Sequence, residues 1–266
     1  RPALQLDGYD DYIQFPYAPA LQPDSIGIEL VVVLDSDPDT DSQNNWRWLL
    51  SPGGAWTNPC FLIMEQSRAI NFTVRVNGTD YRTIGGVVAG ETLTVGQVTH
   101  LFYAYDATTG NGYAYKDGVL TRSGVMVSGG GALSKSTNGW RLSHPAGTST
   151  PNGSGAFPGK ILLLRIWNFV PSQAWIQQRM KKPIDPVITG LLGYWELDEA
   201  SGSTVYDKIS TNHGTVYGGT WTTVQSPAVV RWQLDTPRAV HTLRVAGDNN
   251  VNHYPVDFDV QLYDSV

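Results

Sequence analysis

Short apolar runs recur along this chain at intervals too short for helices, and one stretch alone breaks the rhythm. DYIQF (11–15), IGIELVVVL (26–34), WRWLLS (46–51), CFLIME (60–65), INFTVRV (70–76) and YRTIG (81–85) read as strands. So do THLFYAYD (99–106), GYAYKDGVL (112–120), GWRLS (139–143), KILLLRIW (160–167), GLLGYWEL (190–197) and HGTVYGGTW (213–221). Turn residues separate them, as many short antiparallel strands require. The exception follows KILLLRIW. Asn168 and Pro171 stop that strand, Ser172 is placed to cap a helix, and Trp175, Ile176, Arg179 and Met180 follow at helical spacing. The pattern predicts an all-β protein: a two-sheet antiparallel jelly-roll sandwich with one short helix over about 172–182. That helix has to fold back over the buried strand it leaves.

Composition narrows the function. Charged residues make up 16% of the 266, aromatics 11%, and the net charge is −6. No basic stripe exists to displace counterions from a phosphate backbone, so nucleic acid is excluded as a partner. No apolar run approaches the ~18 residues of a membrane-spanning helix. Cys60 is the only cysteine, which rules out an intrachain disulfide and a four-thiolate metal site. The chain begins at Arg1 rather than Met, as expected of a segment of a longer or processed polypeptide. Ala107–Gly112 and Asp117-Gly118 are natural hairpin turns.

The texture changes after Pro227. AVVRWQL, HTLRVAG and VDFDVQLYD alternate apolar and polar positions, a three-strand extension of about forty residues. That is too little for an independent core. The division expected is a jelly-roll domain over 1–226 and a β-rich extension, or part of a second β-domain, over 227–266. Trp232 and Phe258 are expected in an interface with neighbouring chains.

Four segments carry a resemblance. ALQLDGYDDYIQF, THLFYAYDATTGNGYAYKDGVL, FPGKILLLRIWNFVPSQAWIQ and GLLGYWELDEASGSTVYDKISTNHGTV resemble, in order, parts of the laminin-G-like and pentraxin-like (concanavalin A-type) jelly rolls. The tail, VRWQLDTPRAVHTLRVAGDNN onward, resembles part of a discoidin-type β-sandwich. The first resemblance implies the sandwich fold and a family of binding modules, enzymes and structural domains. It also implies Ca²⁺ at acidic rim loops.

Candidate sites are of three kinds. Trp46, Arg47, Trp56 and Asn58 lie around a Gly-rich loop, and Trp rings beside Asn and Arg suit stacking on a pyranose. Trp48, beside Leu49-Leu50, reads as core, as do Trp140, Trp167, Trp195 and Trp221. Asp35, Asp37, Asp39 and Asp41 in one loop, and Asp7, Asp10 and Asp11 in another, are candidate Ca²⁺ ligands or simply solvated acids. Glu196 and Asp198 are expected on one strand face, but the next position of a glucanase-type array is Ala200 or Ser201, so the acid/base partner is missing. The reading is a non-catalytic, surface-exposed module that recognises a glycan or cell-surface polysaccharide, within a larger extracellular, cell-surface or virion protein. The alternatives are a structural or assembly domain of a phage virion, tail fibre or extracellular appendage and, third, a polysaccharide-active enzyme.

Overall fold

The computed structural model describes residues 1–36, 47–52, 61–66, 68–78, 80–85, 92–143, 156–180 and 187–224. Pro2–Thr223 forms one compact unit; Arg1 with Val224–Val266 forms a second, of which only Arg1 and Val224 are described. The expected strands, interface and discoidin-like pattern of 227–266 therefore lie outside the described residues.

Among the described residues, two eight-stranded sheets make up the large unit. The first has the order β10 (Val119–Val125), β9 (Asn111–Lys116), β8 (Val98–Tyr105), β3 (Ile26–Leu34), β12 (Pro158–Trp167), β1 (Pro2–Asp7) and β16 (Thr220–Thr223), with β13 (Leu191–Trp195) also paired to β12. The second runs β14 (Thr204–Val205), β15 (Gly214–Tyr217), β2 (Tyr12–Gln14), β11 (Trp140–Leu142), β4 (Arg47–Pro52), β5 (Phe61–Gln66), β6 (Ala69–Val76) and β7 (Asp80–Gly85). The pairings between these strands are antiparallel. This is the sandwich expected from the sequence.

The core between the sheets follows from alternation. Ile13 and Phe15, Leu50, Ile70, Phe72 and Val74, Trp140 and Leu142, and Val216 point inward from the second sheet to meet Ile28, Leu30, Tyr103, Leu164 and Trp195 from the first. The near-continuous apolar runs of β3 and β12 have a second cause: their outer faces are covered too. Helix α1 (Gln173–Arg179), capped by the Ser172 hydroxyl accepting from Trp175 N at 3.3 Å, buries Ile176 with Phe102, Leu163 and Trp167. Trp175 meets Trp167 edge-on, with ring centroids 4.8 Å apart. The helix thus lies on the strand that precedes it, as predicted. Trp140, Trp167 and Trp195 are fully buried, and Trp221 packs partly buried against the main core.

The hairpins also form where expected. β8 and β9 pair around the 106–110 loop, and Asp117-Gly118, both at positive φ, join β9 to β10. β10 is an exposed edge carrying Val119, Leu120 and Val125, and three features blunt it. A register shift falls between Leu120 and Arg122, Arg122 places a charge there, and the Leu120 N–H is taken by Gln173 Oε1 at 2.9 Å.

Candidate functional site

On the second sheet, the residues between the core positions form an outer polar face. Tyr12 and Gln14 alternate with Ile13 and Phe15; Arg141 lies between Trp140 and Leu142; Thr215 and Tyr217 flank Val216. Cross-strand register sets these residues into rows. Thr215, Gln14, Arg141 and Ser51 are successive partners across β15, β2, β11 and β4, and Tyr217 is the partner of Tyr12.

Tyr12 and Tyr217 stack with centroids 4.7 Å apart and an interplanar angle of 14°, and Tyr217 is 47% exposed. The Arg141 guanidinium carbon lies 4.5 Å from the centroid of the Tyr12 ring, and its Nε donates to Gln14 Oε1 at 2.7 Å. Gln14 is itself held, its amide donating to Phe15 O at 2.8 Å and Trp140 O at 3.1 Å. The result is a cross-strand stack in which Tyr12 lies between Tyr217 and the Arg141 guanidinium. Sequence reasoning missed it because Tyr12 and Tyr217 are remote in the chain; only the β2–β15 pairing joins them.

The turn after β15 seats the platform. Gly218 has φ +79°, and a Cβ there would fall 1.8 Å from Asp11 Oδ1. Only glycine lets the chain pass so close to the acidic loop at the end of β1. In that loop Asp7, Asp10 and Asp11 offer carboxylate oxygens within 4.8 Å of one another. Asp7 Oδ1 accepts from the backbone N–H of Tyr9 (2.7 Å) and Asp10 (3.3 Å), and Asp11 Oδ2 accepts from Asp7 N at 3.0 Å. Burial raises the Asp11 carboxyl above its ordinary pKa; the bond from Asp7 N opposes this, and the charges of Asp7 and Asp10 reinforce it. Three hard oxygen donors fit Ca²⁺ in kind and supply part of the six to eight it takes.

The other predicted positions fall elsewhere. Trp46, Trp56 and Asn58, and likewise Asp37, Asp39 and Asp41, lie outside the described residues. Asp35 is occupied: Lys160 pairs with one oxygen, and Gln5 Nε2 donates to the other at 2.6 Å. Arg47 is buried to 6% exposure, and its register, through Glu65 to the inward-facing Ile70, is opposite in parity to Trp48. It does not share a face with that ring. Trp48 is buried as expected, but its register through Met64 to Asn71 sets it on the outer side rather than between the sheets.

Glu196 and Asp198 do not lie on a strand face, because β13 ends at Trp195 and Leu197 adopts φ +48°. Both carboxylates instead approach Lys208 Nζ, at 3.8 and 3.5 Å, and Glu196 also accepts from the Tyr194 hydroxyl. Beneath them, on the outer side of the first sheet, Glu29 accepts from Arg165 Nη1 at 3.0 Å, His100 Nε2 at 3.1 Å and Trp167 Nε1 at 3.3 Å. All four residues are buried. No helix is long and apolar enough to cross a membrane among the described residues.

A two-sheet antiparallel sandwich with a polar outer face on one sheet is the frame of a lectin-like jelly roll. Residues 7–177 match a laminin G-type family model, that of the concanavalin A-like lectin/glucanases superfamily, and the chain belongs to that superfamily. A protein of Bacteroides ovatus put forward as carbohydrate binding shares the fold with a TM-score of 0.65 at 17% identity, over 86% of this chain and 62% of its own length. The heptameric SAP-like pentraxin of Limulus polyphemus does so with a TM-score of 0.52 at 13% identity, over 80% of this chain and 94% of its own. A search of curated proteins finds no match to the sequence.

Proposed function

We propose that the protein is a non-catalytic module that binds a glycan on the outer face of the second sheet, at the Tyr12–Tyr217 platform, in an extracellular or surface-exposed setting. The stacked tyrosine pair, with Tyr217 half exposed, carries this reading. The apolar face of a pyranose stacks on the free face of Tyr217, while its hydroxyls need fixed polar partners. Membership of a lectin/glucanase superfamily supports it, as does the description of the Bacteroides relative. Catalysis is not part of the reading, because Glu196 and Asp198 converge on one lysine instead of flanking a space for a glycosidic bond. Trp46, Trp56 and Asn58 keep the contact role proposed from sequence, and Ca²⁺ at Asp7, Asp10 and Asp11 is an adjunct to it.

A glycan array tests the proposal. Tyr217→Ala should weaken the captured glycan about tenfold or more, with the melting temperature nearly unchanged, since Tyr217 projects from an exposed strand position. Undiminished binding by Tyr217→Ala and Tyr12→Ala overturns this placement.

A further inference from the structure

Resting on the reading of this face as a saccharide platform, we infer that it takes a run of sugar residues, a linear glycan laid along β15 and the edge strand β14, rather than a single terminal sugar. Tyr12 has both ring faces covered, one by Tyr217 and the other by the Arg141 guanidinium. Tyr217 is covered by Tyr12 on one face, and strand order turns its other face toward β14. On that side Thr204 pairs with Thr215, and Val216 N donates to Ser203 O at 2.8 Å, which continues the pairing and sets Gly202 level with Tyr217. Gly202 has no side chain, and a Cβ there would meet nothing within 4 Å. Its carbonyl is held from the first sheet by Trp221 Nε1 at 2.7 Å.

A second exposed ring stands further along the same edge. Val205 points into the core, so Thr204 and Tyr206 take the opposite side, as Thr215 does between Gly214 and Val216. Tyr206 is 51% exposed and meets His213 edge-on, with ring centroids 5.1 Å apart. His213 Nδ1 accepts from Asp207 N at 3.0 Å, which fixes the imidazole and, in its neutral form, puts the proton on Nε2 as a donor. Thr204 and Thr215 lie between the two rings, and their hydroxyls can both donate to and accept from a sugar. His213 and Tyr217 are four residues apart in the chain, about 13 Å at the rise of a β-strand. One pyranose, no larger than the ring it stacks on, cannot touch both stations; an oligosaccharide can. Once one sugar lies on Tyr217, contact at Tyr206 is intramolecular, so the two contacts combine in a single affinity.

The test titrates the full chain with four neutral series, gluco-, manno-, xylo- and galacto-oligosaccharides, each from monosaccharide to hexasaccharide. In at least one series the hexasaccharide should bind about tenfold or more tighter than the disaccharide. Tyr206→Ala should remove that gain and leave the disaccharide's affinity unchanged, whereas Tyr217→Ala should weaken both. Tyr206→Phe keeps the ring and should keep the gain. Melting curves establish that the variants are folded. Affinity that does not rise with length, or binding confined to branched or terminally capped glycans on an array, overturns the inference and leaves the saccharide reading standing. A gain that Tyr206→Ala does not reduce overturns it too, as does a loss shared equally by short and long ligands or a gain lost in Tyr206→Phe. Failure to bind any saccharide overturns both.

Discussion

On the outer side of the first sheet, Trp167, Phe102 and Leu163 lie under Ile176 of the helix, and Glu29 accepts from Arg165 and His100. On the outer side of the second sheet, Tyr217 stands half exposed and Arg141 pairs with no carboxylate among the described residues. The two sheets share one alternation rule and put it to opposite uses. Where a helix covers the face, apolar residues fill it, and Glu29 and Arg165 pair beneath it. Around Tyr217, where the second sheet's outer side is exposed, polar and aromatic residues line it, and Arg141 is held there by Gln14 and Tyr12.

The covered face offers the largest test. Glu29 is 2% exposed and accepts from three donors, so Glu29→Ala leaves the Arg165 charge buried without compensation. A loss of about 3–5 kcal/mol is expected. In a chain of this size that lowers the melting temperature by roughly 10 °C or more. A loss below about 1 kcal/mol would mean that the charges on this face are not matched in the sense argued, and the contrast with Arg141 would weaken.

The sequence held half of this cluster in plain view. Glu29, His100 and Arg165 each stand beside apolar neighbours within a strand run, IGIELVVVL, THLFYAYD and KILLLRIW. What it does not contain is strand order. β8, β3 and β12 are neighbours in space, and Glu29 and Arg165 are direct register partners, although 136 positions separate them. Helix α1 was legible because its signals are local: a break, a cap and a 3.6-residue period. The tyrosine platform was not, because aromatic residues attract attention where they cluster along the chain, as at Trp46, Trp48 and Trp56, and pairing between strands leaves no such mark. For Glu196 and Asp198, alternation was extended past the point where the strand ends.

The open face depends on the turn that seats it, which gives a middle-sized effect. At Gly218 a Cβ would collide with Asp11 Oδ1, and φ is positive, so Gly218→Ala should cost about 1–2 kcal/mol. The sharper expectation is that it moves Tyr217 off Tyr12 and so weakens glycan capture as much as Tyr217→Ala does. A variant that loses stability but keeps its affinity would separate the platform from its turn.

The smallest effect comes from the acidic loop and has a defined direction with pH. Burial raises the Asp11 carboxyl above its ordinary value of 3.8, against the bond from Asp7 N and with the charges of Asp7 and Asp10. A carboxyl whose pKa is higher in the folded state than in the unfolded one binds its proton more tightly when folded. Its ionised form therefore costs stability at neutral pH. That cost shrinks as the pH falls through the raised pKa and is gone below the ordinary value. Asp11→Asn removes the charge and keeps an oxygen for the Asp7 N–H, so in chelator at pH 7 it should raise the melting temperature by about 1–2 °C, and the gain should vanish on acidification. Millimolar Ca²⁺ should reverse the order of the two proteins, because only the carboxylate form gains from the cation by mass action. If Ca²⁺ leaves both melting temperatures unmoved, the loop is a self-repelling turn and calcium plays no part in presenting the platform. If Asp11→Asn is less stable than the parent in chelator at every pH, the hydrogen bond from Asp7 outweighs the charge it opposes.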